Sequence, residues 1–162
     1  GLGDVYKRQD MGVVVSHKRS NSGMDWGFVG DIDTVNEKML ALLLENGIMP
    51  VISPITCSPA GQLLNTNADS VASAVAIALS RRYETELVYC FDKPGVLKDA
   101  EDNSSVIPQM DRETYDVLRK EGYIHSGMLP KLENAFKTLE SGVKKVRLTS
   151  PENPDGGTVI GF

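Results

Sequence analysis

Residues 49–80 read MPVISPITCSPAGQLLNTNADSVASAVAIALS, and the changes of character along them decide the fold. Residues 49–55 form a short apolar run between turn formers and read as a buried strand, and residues 56–61 read as a turn-rich loop. In Asn65-Thr66-Asn67-Ala68-Asp69, two side-chain amides and a carboxylate stand directly before residues 70–80. The small Ala, Val and Ser side chains there let a helix pack tightly on a sheet. The mouth of such a helix presents unpaired backbone N–H groups and the positive end of the helix dipole, which favours a polar or anionic ligand. The plainer alternative is that Asn67 or Asp69 only caps the helix, a role worth about 1 kcal/mol. A cap needs one such residue, which leaves at least two side chains over.

The same alternation extends in both directions. Residues 35–46 carry Met39, Leu40, Leu42, Leu43 and Leu44 on a wide apolar face, with Asp33 and Thr34 as candidate caps and Gly47 as a stop, and are predicted to be a helix. After the helix over residues 68–80 come a strand over 86–91 (ELVYCF), a long polar loop, helices over 111–121 and 128–141, and strands over 144–149 and 158–162. Strands separated by helices imply an α/β fold with an open, mainly parallel sheet sandwiched between helices. Such sheets bind ligands at the carboxyl ends of their strands, which points to the loops after Ile55 and Phe91.

Composition narrows the function classes. The 162 residues are 41% hydrophobic, enough for one domain with a real core. Seventeen Lys and Arg face 22 Asp and Glu, and the net charge of -5 argues against nucleic acid as a partner. Cys57 and Cys90 lack the paired spacing of a zinc site or a disulfide framework, and neither a secretory signal nor a long apolar span stands out. No membrane partner and a reducing cytoplasm are therefore expected. His17 and His125 lie far apart, so no soft-ligand metal site is expected, although magnesium held through phosphates is compatible with the chain. His17, beside Lys18 and Arg19, reads as solvated. Residues 1–9 (GLGDVYKRQ) show neither helical nor strand periodicity and no initiator Met; they are expected to be a non-native scar or a frayed terminus before a domain over residues 10–162.

Two further segments carry candidate chemistry. Asp92-Lys93-Pro94-Gly95-Val96-Leu97 follows a strand directly; Pro94 presets a turn, and Gly95 allows close backbone approach to a ligand. An ordinary surface turn is an equally good account. No Gly-x-x-x-x-Gly-Lys pattern occurs, so a P-loop kinase is not supported. In Tyr123-Ile124-His125-Ser126-Gly127-Met128-Leu129-Pro130-Lys131, Gly127 admits a phosphate near the backbone and Pro130 fits a first helical turn. Lys131 then lies at the positive end of a helix, a conflict that a bound anion would relieve. A solvated lysine is the alternative, and His125 reads as a loop residue rather than a general base.

Five segments, GFVGDID (27–33), LLLENGIMPVISPI (42–55), NTNAD (65–69), LVYCFDKPGVL (87–97) and GMLPKL (127–132), together resemble the amino acid kinase family, and within it the N-acetylglutamate kinase branch. Their order and spacing match from Asp10 onward. The resemblance implies ATP-dependent phosphorylation, with magnesium carried on the phosphates, of the side-chain carboxylate of N-acetyl- or N-succinylglutamate in arginine biosynthesis. It also implies a cytoplasmic homodimer. Lys131 is similar to the lysine that stabilises phosphate charge during transfer, Asp69 to the carboxylate that orients catalytic lysines, and Asn65 to a substrate-binding residue. Asp92, Lys93, Pro94, Gly95, Val96, Leu97, Tyr123, Ile124, His125 and Gly127 correspond to stretches bordering the nucleotide. No residue is assigned to a metal.

Departures accompany the match. The family's amino-terminal half, with its first catalytic lysine, a glycine-rich phosphate turn and a substrate-gripping arginine, has no counterpart here, so the resemblance implies that residues 10–162 are the carboxyl-terminal, nucleotide-binding portion of an amino acid kinase domain, and the chain alone is expected to bind nucleotide weakly at most and not to turn over. Phe91 stands where many relatives carry a small hydroxyl residue, and Lys93-Pro94 is unusual. Both resemble the kinases of Bacteroidetes-like bacteria. The alternatives are a sister kinase acting on aspartate, glutamate, carbamate or a nucleoside monophosphate, and a non-catalytic nucleotide-binding module.

Overall fold

The computed structural model describes residues 12–20, 24–124 and 127–161. Residues 1–9, His125 and Phe162 lie outside the described residues. The chain divides into two compact units, residues 1–79 and 80–162.

In the first unit, β1 (Val14–Lys18) lies between β2 (Gly30–Val35), which it pairs antiparallel, and β3 (Ile55–Cys57), which it pairs parallel; β4 (Leu63–Asn65) closes the order β2-β1-β3-β4. The β3–β4 pair is antiparallel because a five-residue connection is too short for a crossover. Helix α1 (Glu37–Glu45) starts later than the sequence predicts. Asp33, Thr34 and Val35 belong to β2, and Asn36 supplies the cap by accepting the Met39 N–H at 3.1 Å. The ladder claims the earlier residues, since Asn36 N–H still bonds Val13 O at 2.7 Å. His17, expected to be solvated, has its Nδ1 2.6 Å from Asp33 Oδ1 across the β1–β2 pair.

The predicted strand over residues 49–55 is the largest correction. Only Ile55 enters a strand; Met49 is 84% and Val51 95% exposed. Pro50 and Pro54 lack the N–H groups a ladder needs, so the apolar run stays irregular. The short β4 was not expected, and Asn65 consequently ends a strand rather than lying in a loop. Helix α2 (Ala68–Ser80) has the expected bounds. Asn67 caps it, its Oδ1 accepting the Ser70 N–H at 3.0 Å. Val13, Val14, Leu40 and Val71 form the core of this unit, flanked by Ile32, Met39 and Val75.

In the second unit the sheet order is β5-β7-β8-β6, from β5 (Glu86–Cys90), β6 (Gln109–Met110), β7 (Lys145–Thr149) and β8 (Thr158–Ile160). β5–β7 and β6–β8 are parallel, and β7–β8 is antiparallel. The two-residue β6, inside the predicted polar loop, is too short to leave a periodic signal. Helices α3 (Arg112–Lys120, capped by Asp111 on the Thr114 N–H at 2.7 Å) and α4 (Leu129–Glu140) match the predicted helices to within a residue at each end. On α4, Leu132, Ala135, Phe136 and Leu139 line one buried face, as a 3.6-residue period requires. Tyr115, Met110, Val146, Leu148 and Ile160 are likewise buried in this unit, and the Tyr115 ring meets that of Phe136. The α/β class and its parallel segments are as expected; the antiparallel pairs arise where connections are short.

Candidate functional site

The carboxyl end of β5 organises the second unit's candidate residues. Phe91 leaves the strand with its N–H still bonded to Thr149 O at 2.9 Å, so the following loop starts beside the end of β7. Asp92 is exposed and Lys93 and Pro94 are half-buried. Lys93 Nζ donates to Ala100 O at 3.3 Å, which folds the loop back on itself.

Gly95, Val96 and Leu97 are buried. Val96 N–H donates to Thr158 Oγ1 at 2.8 Å and Val96 O accepts from Ile107 N–H at 2.9 Å, so both of its backbone groups are engaged within the unit. Gly95 is not among the glycines at positive φ. Its requirement is space: a Cβ there would lie 2.9 Å from both Thr158 Oγ1 and Val106 Cγ1. Gly95→Ala is therefore expected to destabilise the protein by about 1–3 kcal/mol through overpacking, read as a fall in urea midpoint. An unchanged midpoint would contradict the tight seat. Of the six residues in this segment, Asp92, Lys93 and Pro94 are the ones whose side chains remain accessible.

Lys131 lies in the first turn of α4, and its Nζ stands 5.9 Å from the centroid of the Tyr89 ring on β5. The helix start carries no side-chain cap hydrogen bond, and Pro130 occupies the first turn as expected. Its N–H groups and an ammonium thus share one end of the helix, an arrangement that suits an anion. Tyr123 is 43% exposed, Ile124 is buried and Gly127 is exposed. His125 lies outside the described residues. Lys98 Nζ stands 5.9 Å from the Tyr123 ring centroid, linking the 92–98 loop to the segment before α4. Sequence reasoning missed Lys98 and Thr158, because neither has a local pattern that distinguishes it from a surface lysine or an ordinary strand threonine.

The first unit holds Asn65 and Asp69. Asn65 is exposed at the end of β4, and its N–H donates to Phe28 O at 2.7 Å. Asp69 is half-buried in the first turn of α2, where a carboxylate suits the helix dipole. Between them Thr66 turns inward, its Oγ1 2.7 Å from Thr56 Oγ1, with its N–H on Pro54 O at 2.9 Å. Gly30 is matched to this hydroxyl pair, since a Cβ there would meet Thr66 Oγ1 at 2.6 Å. Thr66 thus fixes the chain while Asn65 and Asp69, on either side, are presented outward or partly so. Among the described residues no group of three or more His, Cys, Asp or Glu side chains is placed to hold a metal ion, and no helix is long and apolar enough to cross a membrane.

Known proteins share this arrangement of segments. Acetylglutamate kinase of Parabacteroides distasonis is 46% identical over 140 residues, which cover 86% of this chain and 55% of that protein. The acetylglutamate kinase of Bacteroides fragilis is 45% identical over 153 residues, covering 93% of this chain and 59% of that protein. The crystal structure of smu.665 from Streptococcus mutans superposes with a TM-score of 0.74 at 30% identity, covering 91% of this chain and 56% of that one. The chain therefore spans somewhat more than half the length of the curated relatives it matches. The sequence pattern of the amino acid kinase family matches residues 7–150, and the chain belongs to that family.

Proposed function

We propose that the protein carrying this chain transfers the γ-phosphoryl group of ATP to the side-chain carboxylate of an N-acylated glutamate, acetyl or succinyl, in arginine biosynthesis. The observation that carries the proposal is the 46% identity to an acetylglutamate kinase over 86% of the chain. The local geometry supports it, because phosphoryl transfer needs alignment and neutralisation of spreading negative charge rather than a protein nucleophile. In the reaction, a carboxylate oxygen forms a bond to the γ-phosphorus as the bond to the bridging oxygen breaks, and ADP leaves.

Lys131 and the uncapped start of α4 neutralise charge on the phosphates in this reading. Asp69 orients catalytic cations, and Asn65 holds the amino-acid substrate. Asp92, Lys93, Pro94 and Tyr123 border the nucleotide with their side chains, and Gly95, Val96 and Leu97 shape the loop that carries them. Magnesium enters with the nucleotide, held mainly through phosphate oxygens. The reading is tested by incubating the whole gene product with ATP, magnesium and either acetylglutamate or succinylglutamate, and trapping acyl phosphate with hydroxylamine. An ATP-dependent hydroxamate is expected with one of the two, and its absence with both would end the proposal.

A further inference from the structure

A polar cluster between α3 and α4 lies outside every motif singled out in the sequence. Glu133, on α4, accepts the Tyr115 hydroxyl at 2.8 Å and Arg119 Nη1 at 3.0 Å on Oε1, and Arg112 Nη1 at 3.5 Å on Oε2. The three donors sit on α3 at spacings of three and four residues, which places them on one helix face. Phe136, one turn beyond Glu133, meets the Tyr115 ring at 5.3 Å, and the Arg112 guanidinium lies 4.9 Å from the Phe136 centroid. Both carboxylate oxygens and the neighbouring ring are therefore gripped by one helix. Hydrogen bonds to a charged acceptor are shorter and roughly twice as strong as neutral ones. The Tyr115 hydroxyl, followed by the two guanidinium groups, holds the Glu133 carboxyl below its ordinary value of 4.5.

The clamp matters because of what else α4 carries. Its first turn has no side-chain cap, and Pro130 contributes no N–H there. Side chains two residues apart on a helix do not face each other, so Glu133 grips α3 while Lys131 faces Tyr89 on β5. Rotation of α4 about its axis would carry the ammonium off its line, and the Glu133 grip opposes that rotation. With two arginines beside it, Glu133 also leaves no net negative charge to draw Lys131 inward.

We propose that Glu133, held by Tyr115, Arg112 and Arg119, is a positioning residue that sets the rotation of α4 and so aims Lys131 at the transferring phosphoryl group; this rests on the phosphoryl-transfer reading above. In the whole enzyme, Glu133→Ala lowers kcat per folded molecule by about 10- to 100-fold and leaves KM for ATP within about twofold, as expected when alignment rather than binding is lost. Tyr115→Phe keeps the ring and removes only the hydroxyl, so it folds even where Glu133→Ala does not, and it shifts kcat in the same direction. Arg119→Lys recovers part of the kcat lost in Arg119→Ala.

The decisive comparison is the double variant. If Glu133 acts through Lys131, adding Glu133→Ala to Lys131→Met costs little further turnover, whereas fully additive losses overturn the proposal. A fall in melting temperature with unchanged kcat in Glu133→Ala and Tyr115→Phe also overturns it, by assigning the cluster to stability alone. Loss of activity in Lys131→Met together with normal turnover in Glu133→Ala removes the positioning role only; an unaffected Lys131→Met removes the role of Lys131 and the positioning role with it, whereas an unsubstituted enzyme that yields no ATP-dependent hydroxamate removes the phosphoryl-transfer reading itself.

Discussion

Lys131→Met in the whole enzyme is expected to lower kcat by about 10²- to 10³-fold while KM for ATP changes only a few-fold. Methionine keeps most of the side-chain length and apolar contact of lysine, so the substitution deletes the ammonium and little else. That charge stands at the start of α4, 5.9 Å from the Tyr89 ring and at the carboxyl end of a strand paired in parallel. A cation placed beside a helix N-terminus is unfavourable in the resting protein, and in the reaction proposed above the conflict eases as negative charge builds on a phosphate between them. On that proposal the interaction is stronger in the transition state than in the ground state, which is the condition for acting on turnover rather than on binding. Steady-state kinetics with hydroxamate detection measures the effect, and an unchanged kcat refutes the role.

Phe136→Ala is expected to destabilise the protein by about 3–5 kcal/mol, the range for emptying a packed aromatic site. Phe136 is 1% exposed, and its loss removes more than its own burial. The Tyr115 ring loses its tilted partner at 5.3 Å, and the Arg112 guanidinium loses the face 4.9 Å beneath it. Backbone shifts around a site of this size are incomplete, so a cavity adds to the transfer cost. Urea denaturation of the protein measures the loss, with Lys137→Ala as the control, since Lys137 is exposed one residue further along the same helix. The control is expected to stay within about 0.5 kcal/mol of the parent. Equal midpoints for Phe136→Ala and the parent contradict the packing described here.

Helix α2 was legible in the sequence because Asn67 and the small apolar run from Val71 onward agree on one answer: a cap followed by a close-packing face. The strand β5 was legible as a compact apolar run bounded by polar segments, and β7 as an alternation in which Val146 and Leu148 stand between Lys145, Arg147 and Thr149. Residues 49–54 were misread because an apolar run was weighed above Pro50 and Pro54, whose missing donors bar a ladder. β4 and β6 are too short to show any period. Within the candidate site, the anomaly of Lys131 at a helix start was readable, because it follows from Pro130 and from dipole electrostatics alone. The role of Gly95 was only half readable: its need for space is set by Thr158 and Val106, which are distant in sequence. Glu133 was invisible, since its three donors lie between 14 and 21 residues upstream and nothing local marks a glutamate in an amphipathic helix as their common acceptor.

The hydrogen bond from Val96 N–H to Thr158 Oγ1 joins residues 62 positions apart. During synthesis, the ribosome completes the 92–97 segment long before it adds the threonine that anchors it, and β5 must likewise wait for β7, its parallel partner. Closing so long a stretch of chain costs entropy before any contact offsets it. The 92–97 turn is therefore among the last parts of this unit to take shape, and a nascent chain halted between residues 149 and 158 holds the β5–β7 pair but not the turn's native form.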